Sequence, residues 1–128
     1  MDLTKYSTGL QHLGIPTNDM EATIAFYKQL GFEISYEVMN GEERVVFFKL
    51  GDFIVEAYQN MQAKMHGGAI DHIALNVLDI DETFAYINEI GLNNMNDEIH
   101  FLPFYTNGIK YFNIQGPNNE TVEFSQYL

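Results

Sequence analysis

The chain has no cysteine, no tryptophan and three prolines, and it sets six Lys plus Arg against eighteen Asp plus Glu. Each shortage excludes something. Without cysteine there is no disulfide and no thiolate metal site, which fits a cytoplasmic protein. A net charge of −12 repels phosphate backbones and anionic lipid, so neither nucleic acid nor a membrane surface is expected as a partner. The lack of cations also works against any polyanionic substrate. No run of about eighteen apolar residues is present, so no membrane span is expected. Met1–Lys5 carries no apolar stretch of the kind that opens a signal peptide. The 128 residues suffice for one domain, 1–128, with a real core.

What the sequence does have is an internal repeat. Ile70-Asp71-His72-Ile73-Ala74-Leu75-Asn76-Val77 has a counterpart sixty residues earlier in Gln11-His12-Leu13-Gly14-Ile15. The match continues: Asp19 with Asp79, Thr23 with Thr83, Ala25 with Ala85, Gly31 with Gly91. In the first copy, 10–16 reads as a strand. Asn18 or Asp19 caps a helix whose apolar face is Met20, Ile24, Tyr27 and Leu30, and Gly31 stops it. Strands follow at 32–39, 44–50 and 53–59, with a hairpin turn at Asn40-Gly41. The second copy repeats the order: strand 70–77, helix from Asp79 to about Ile90, then 99–104, 108–115 and 120–126. Residues 92–97 read as polar loop, and 99–104 as a short edge strand or an extended loop, with Pro103 arguing for an edge. The modules run from about 8–60 and 69–128, with 60–69 as linker and 1–8 as a loose lead-in. Two βαβββ modules predict an α+β fold with helices on one face of the sheet.

Strand alternation separates two faces. Leu13, Ile15, Ile73, Leu75, Val55, Ala57, Val122 and Phe124 fall on the apolar one. His12, Glu56, His72 and Glu123 fall on the other, one from the first and last strand of each module. A mid-strand glutamate among apolar residues is costly unless it is paired or binds a metal. Recurrence of His and then Glu in both copies favours a metal. Two imidazoles and two carboxylates neutralise a divalent ion and suit Zn, Ni, Mn, Fe or Co. His66 and His100 are expected to be solvated and without a role.

His12-Leu13-Gly14-Ile15, Phe26-Tyr27 with Leu30-Gly31-Phe32, Val55-Glu56, Asp71-His72-Ile73-Ala74, and Gly116-Pro117-Asn118 before Glu123 together resemble the vicinal-oxygen-chelate superfamily (glyoxalase/bleomycin resistance protein/dioxygenase). The resemblance runs from about Leu10 to Leu128 and is strongest to glyoxalase I, a lactoylglutathione lyase. It implies a cup built from paired modules and one divalent metal held by His12, Glu56, His72 and Glu123. It also implies a lyase or isomerase acting on a small α-hydroxycarbonyl substrate through a metal-stabilised enediolate. Glu123 or Glu56 would double as the catalytic base. Tyr58, Asn60, Lys110 and Phe112 would bind substrate, with Phe124 a further candidate for the pocket wall. A homodimer is implied, with the metal site within one chain or shared between two.

The chain departs from glyoxalase I in places. Pro16 stands where that pattern has a glutathione-binding arginine, whereas Asn60 matches its asparagine. Arg44, Lys49 and Lys110, the strand cations, offer little to neutralise glutathione or a CoA thioester. Three other readings stand beside the first. A methylmalonyl-CoA epimerase shares Gly14-Ile15 after His12, but a glutamine in place of Glu56 would mark it. A protein that sequesters a cationic drug, as bleomycin-resistance proteins do, fits the acidic charge but lacks the ligand set. An extradiol dioxygenase needs two His and one carboxylate, leaving Glu56 or Glu123 unexplained.

Overall fold

Among the described residues two α-helices and eight strands follow one another in the order the repeat predicts. The computed structural model describes residues 2–128, so Met1 of the lead-in lies outside the described residues. The chain packs as two compact units, the first ending at Ala63 and the second spanning Lys64–Leu128. Their boundary falls inside the expected linker.

The first unit holds β1 (Leu13–Pro16), α1 (Met20–Gln29), β2 (Glu33–Asn40), β3 (Glu43–Leu50) and β4 (Phe53–Tyr58). Its sheet has the order β1-β4-β3-β2, with β1 parallel to β4 and the other pairs antiparallel. The second unit holds β5 (His72–Asn76), α2 (Ile80–Glu89), β6 (His100–Leu102), β7 (Ile109–Gln115) and β8 (Thr121–Tyr127). Its sheet repeats the topology as β5-β8-β7-β6. A lead-in read as loose contains a 3-10 turn, Leu3–Lys5, capped by the Asp2 carboxylate.

Helix starts are fixed twice over in each unit. Asp19 Oδ1 accepts from the Ala22 N–H, and Asp79 Oδ1 from the Glu82 N–H, both at 3.0 Å. These side chains satisfy donors that the first helical turn leaves free. Asn18, the other candidate cap, instead accepts from the Ala63 N–H at 3.0 Å. A second clamp comes from the last strand region. Gln59 Oε1 accepts from the Met20 N–H and Gln126 Oε1 from the Ile80 N–H, each at 2.7 Å. Each glutamine lies three residues after a candidate glutamate, Glu56 or Glu123. An odd offset on a strand puts the two side chains on opposite faces, so one strand end serves both helix and site. The helices stop at Gly31 (φ +94°) and Gly91 (φ +74°), where a side chain would strain the backbone.

Each core lies between one helix and one sheet face. In the first unit Tyr27 stacks on Phe48 with ring centroids 5.4 Å apart, over Val46, Val55 and Ala57. In the second, Phe112 stacks on Phe124 at 4.9 Å and meets the edge of Phe84 from α2 at 5.0 Å. All of these residues except Phe84 are buried. The opposite faces carry Glu56 and Glu123, as alternation requires.

The edge strands β2 and β6 differ between the copies. β2 pairs with β3 along nearly its whole length, but β6 pairs with only three residues of β7. Side chains close the rest of that edge. Asp97 Oδ2 accepts from the Asn113 N–H at 2.8 Å. Asn94 accepts from the Gln115 N–H at 2.8 Å and donates to the Gln115 carbonyl at 2.6 Å. An edge with unpaired donors invites pairing with other chains, and these amides and carboxylates block it.

Candidate metal and substrate site

Both candidate pairs form, and they form alike. Parallel pairing sets Gly14 opposite Glu56 and Ala74 opposite Glu123. His12 and His72 each precede that small residue by two positions and so share its face. His12 Nε2 lies 3.7 Å from Glu56 Oε1, and His72 Nε2 lies 3.3 Å from Glu123 Oε2. Gly14 leaves this space open: a Cβ there would meet the Tyr58 ring at 3.4 Å and Glu56 Oε1 at 3.7 Å.

The other ring nitrogens are held as well. His12 Nδ1 is 2.9 Å from Gln11 Oε1, and His72 Nδ1 is 2.8 Å from Asp71 Oδ2. An amide oxygen or a carboxylate accepts a hydrogen bond from Nδ1–H, so each neutral ring carries its hydrogen on Nδ1. The Nε2 lone pair then points toward the glutamate. This is how histidine is oriented behind a metal, with an acceptor fixing tautomer and ring plane. Imidazole and carboxylate are donor types that suit a divalent ion. Among the described residues no group of three or more His, Cys, Asp and Glu is placed to hold a metal ion by itself, so each unit presents one imidazole and one carboxylate.

The carboxylates differ. Glu123 is the more buried, with a side chain 14% exposed against 27% for Glu56. Burial pushes the Glu123 carboxyl above the usual range, and the nearby His72 pulls it partway back.

Substrate candidates separate by face. Tyr58 stands two residues beyond Glu56 on the same face. Asn60 lies just past β4 and closes a local turn, its Oδ1 accepting from the Gln62 N–H at 2.9 Å. Phe112 and Phe124 sit in the core against α2, so their expected pocket role is corrected. Lys110 alternates with Phe112 on that helix-facing side, away from Glu123. Register explains the error. Phe112 pairs with Phe124, whereas Asn113 pairs with Glu123 and Tyr111 with Ser125.

Tyr111 and Asn113 instead line a cavity of about 740 Å³ in the second unit, together with His72 and Glu123. That volume falls in the range of small-molecule sites. His100, expected to be idle, lies with Nε2 2.6 Å from Asp97 Oδ1 and its ring over Tyr111 at 5.2 Å. Burial alone would raise the Asp97 carboxyl, but its bonds to His100 and to the Asn113 and Glu98 N–H groups outweigh this and hold it below the ordinary value. His66 contacts the Gly67 carbonyl.

Paired βαβββ units, each presenting one imidazole and one carboxylate on the face away from its helix, define a class of protein built around small-molecule sites. Residues 9–124 match the glyoxalase/bleomycin resistance protein/dioxygenase superfamily, and the chain belongs to it. The uncharacterized protein YwbC of Bacillus subtilis (strain 168) is 31% identical over 124 residues, covering 91% of this chain and 96% of that protein. Among solved structures, the genomically encoded fosfomycin resistance protein FosX from Listeria monocytogenes, complexed with Mn(II) and sulfate, superposes with a TM-score of 0.71. It is 16% identical, with 95% of this chain and 94% of that chain covered. A lactoylglutathione lyase from Agrobacterium tumefaciens gives a TM-score of 0.65 at 19% identity, with 94% of each chain covered. These two establish a shared fold. No helix among the described residues is long and apolar enough to cross a membrane.

Proposed function

We propose that the protein is a cytoplasmic, divalent-metal-dependent lyase or isomerase of the glyoxalase I type, acting on a small α-hydroxycarbonyl substrate. One observation carries the reading. Each unit repeats the same His–Glu contact, with His Nδ1 anchored by the preceding side chain and Nε2 turned toward the glutamate. His12, Glu56, His72 and Glu123 are the ligands, two from each unit. A homodimer would bring the pairs together within a chain or across two. FosX with its Mn(II) and the lactoylglutathione lyase, both built on this fold, make the assignment chemically coherent.

When bound, the metal supplies Lewis-acid polarisation of the substrate oxygens. The remaining chemistry belongs to side chains. Glu123 is the base, because it is the more buried carboxylate and lines the cavity. Its basicity is raised by burial, in the direction general-base catalysis requires. It takes a proton from the carbon beside the carbonyl and returns it to the neighbouring one. Asp71 and Gln11 keep the two imidazoles in register. Tyr111 lines the same cavity as Glu123, and Tyr58 stands beside Glu56 in the first unit.

The test joins metal content with turnover. Purified wild type, His72→Ala and Glu123→Ala are loaded with Ni, Zn or Mn and analysed for bound metal. Each is then assayed with methylglyoxal hemithioacetals and related α-hydroxycarbonyls. Close to one ion per site in wild type, lost in both variants, with turnover only in wild type, is the expected result. A wild type that binds no divalent ion overturns the metal assignment and favours a sequestering protein. A metal-loaded wild type inert on all these substrates overturns the lyase assignment alone.

A further inference from the structure

The cavity of the second unit combines two features that its neighbours' substrates do not explain. None of its lining residues is Lys or Arg, while Asp71 and Glu123 both lie on its wall. Away from these carboxylates the wall is aromatic: Tyr105, Tyr111 and Tyr127 face it, with Phe104 beside them. Tyr105 and Tyr127 meet edge to face with centroids 4.9 Å apart, yet they stay 72% and 63% exposed. An exposed aromatic pair that is ordered but uncovered leaves a ring face open to a ligand.

Tyr105 is held there at a conformational cost. Its φ is +59°, a left-handed backbone that an aromatic residue rarely adopts. Strain of this kind persists where the surroundings fix a side chain in place, and it concentrates at ligand sites. A hydrogen bond to Tyr127 raises the Tyr105 hydroxyl above the ordinary phenol value. Neutral tyrosine faces carry the negative end of the ring quadrupole.

We propose that this wall selects a substrate whose non-reacting end is an organic cation, an alkyl- or arylammonium group held against Tyr105 and Tyr127 and within the field of Asp71 and Glu123. The inference rests on the reading of His72 and Glu123 as the reacting end of the same cavity. Cations within about 6 Å of a tyrosine centroid are attracted by the ring, and adjacent carboxylates add a long-range field. An anionic tail, such as a phosphonate or the carboxylates of glutathione, would enter the same space with no positive side chain to meet it. The chain's net charge of −12 acts in the same sense on approach.

The experiment is a binding comparison on metal-free protein in the presence of chelator, so its outcome does not depend on turnover or metal. Benzyltrimethylammonium and benzylphosphonate share a ring and differ in charge. Each is titrated while backbone NMR shifts of Tyr105, Tyr111 and Tyr127 are followed. Saturable binding of the ammonium probe is expected, with no saturation by the phosphonate over the same concentrations. Tyr127→Ala is expected to weaken the ammonium probe about two- to fivefold, and Tyr127→Phe to leave it unchanged, since the ring face is what binds. Should Tyr127→Ala fail to fold, Tyr105→Asn makes the same test, because asparagine tolerates the left-handed backbone. Phosphonate binding as tight as the ammonium, ammonium affinity indifferent to loss of either ring, or no saturation by either probe would each overturn the proposal. Failure of the lyase assay with metal, alongside charge-selective binding here, would instead remove the reaction and keep the ligand class.

Discussion

At the scale of single residues, the two carboxyls with shifted titration pull stability in opposite directions. Asp97 is held below its ordinary value by His100 and two backbone N–H groups. Its contribution is therefore fully present above the ordinary aspartate range and is lost as pH falls through the lowered folded value. Asp97→Ala is expected to cost about 1–3 kcal/mol at pH 7, the range for charged hydrogen bonds. Urea unfolding of both proteins should show that gap closing in acid. Glu123 has the reverse sign. Its folded value is raised chiefly by burial, so the ionised form destabilises the metal-free protein above that value, and the effect vanishes below the ordinary glutamate range. Metal-free Glu123→Gln is expected to melt above wild type at pH 8, with the difference disappearing as pH falls through the carboxylate range. A variant that melts lower at pH 8 would show that the His72 contact outweighs burial. Sequence made the two His–Glu contacts legible because each of the four candidate residues sits at a fixed offset from a small or apolar neighbour in both copies. It left Gln11 and Asp71 unassigned, although both stand directly before a histidine, because a flanking polar residue gives no sign of where its side chain turns. Phe112 was misplaced by one step of parity: pairing with Phe124 takes it to the core and leaves Tyr111 and Asn113 beside Glu123.

At the scale of elements, the repeat forecast both helices, the Asp79 cap and both glycine stops, and left the first cap between Asn18 and Asp19, of which the structure selects Asp19. It did not forecast the glutamine clamps, since Gln59 and Met20 are 39 residues apart and their pairing depends on topology. Gln59→Ala and Gln126→Ala are each expected to lose about 1 kcal/mol, as loss of a helix cap does. Faster hydrogen exchange should be confined to the first turn of α1 or α2 respectively, a locality that distinguishes the clamp from a general core defect. Sequence placed the short edge strand β6 within 99–104, but not what covers the rest of the β7 edge. Residues 92–97 read as polar loop, yet Asn94 and Asp97 take over the edge of β7 with side-chain hydrogen bonds. Polar loops and edge-capping loops have the same composition. Only the partner strand tells them apart.

At the scale of the whole molecule, charge dominates what can be foreseen. A net charge of −12 on a small protein destabilises the compact state through self-repulsion. The Tm of metal-free protein is expected to rise between low salt and about 0.15 M, where screening reaches within about 8 Å. Metal at one hundred times its dissociation constant is expected to add about 2.7 kcal/mol to unfolding stability, reversed by chelator. Light scattering run alongside checks the proposed homodimer.

The clamps have a consequence for the gene as well as for the protein. Gln59 grips Met20 and Gln126 grips Ile80, and each His–Glu contact likewise closes within one half of the chain. A nick between Ala63 and Lys64 would sever none of the hydrogen bonds described above. The coding sequence thus behaves as two half-genes in tandem. Expressed as separate reading frames, each half would carry its own helix anchor and its own pair of ligands. Rejoined in the reverse order, as a circular permutant beginning at Lys64, it would keep both.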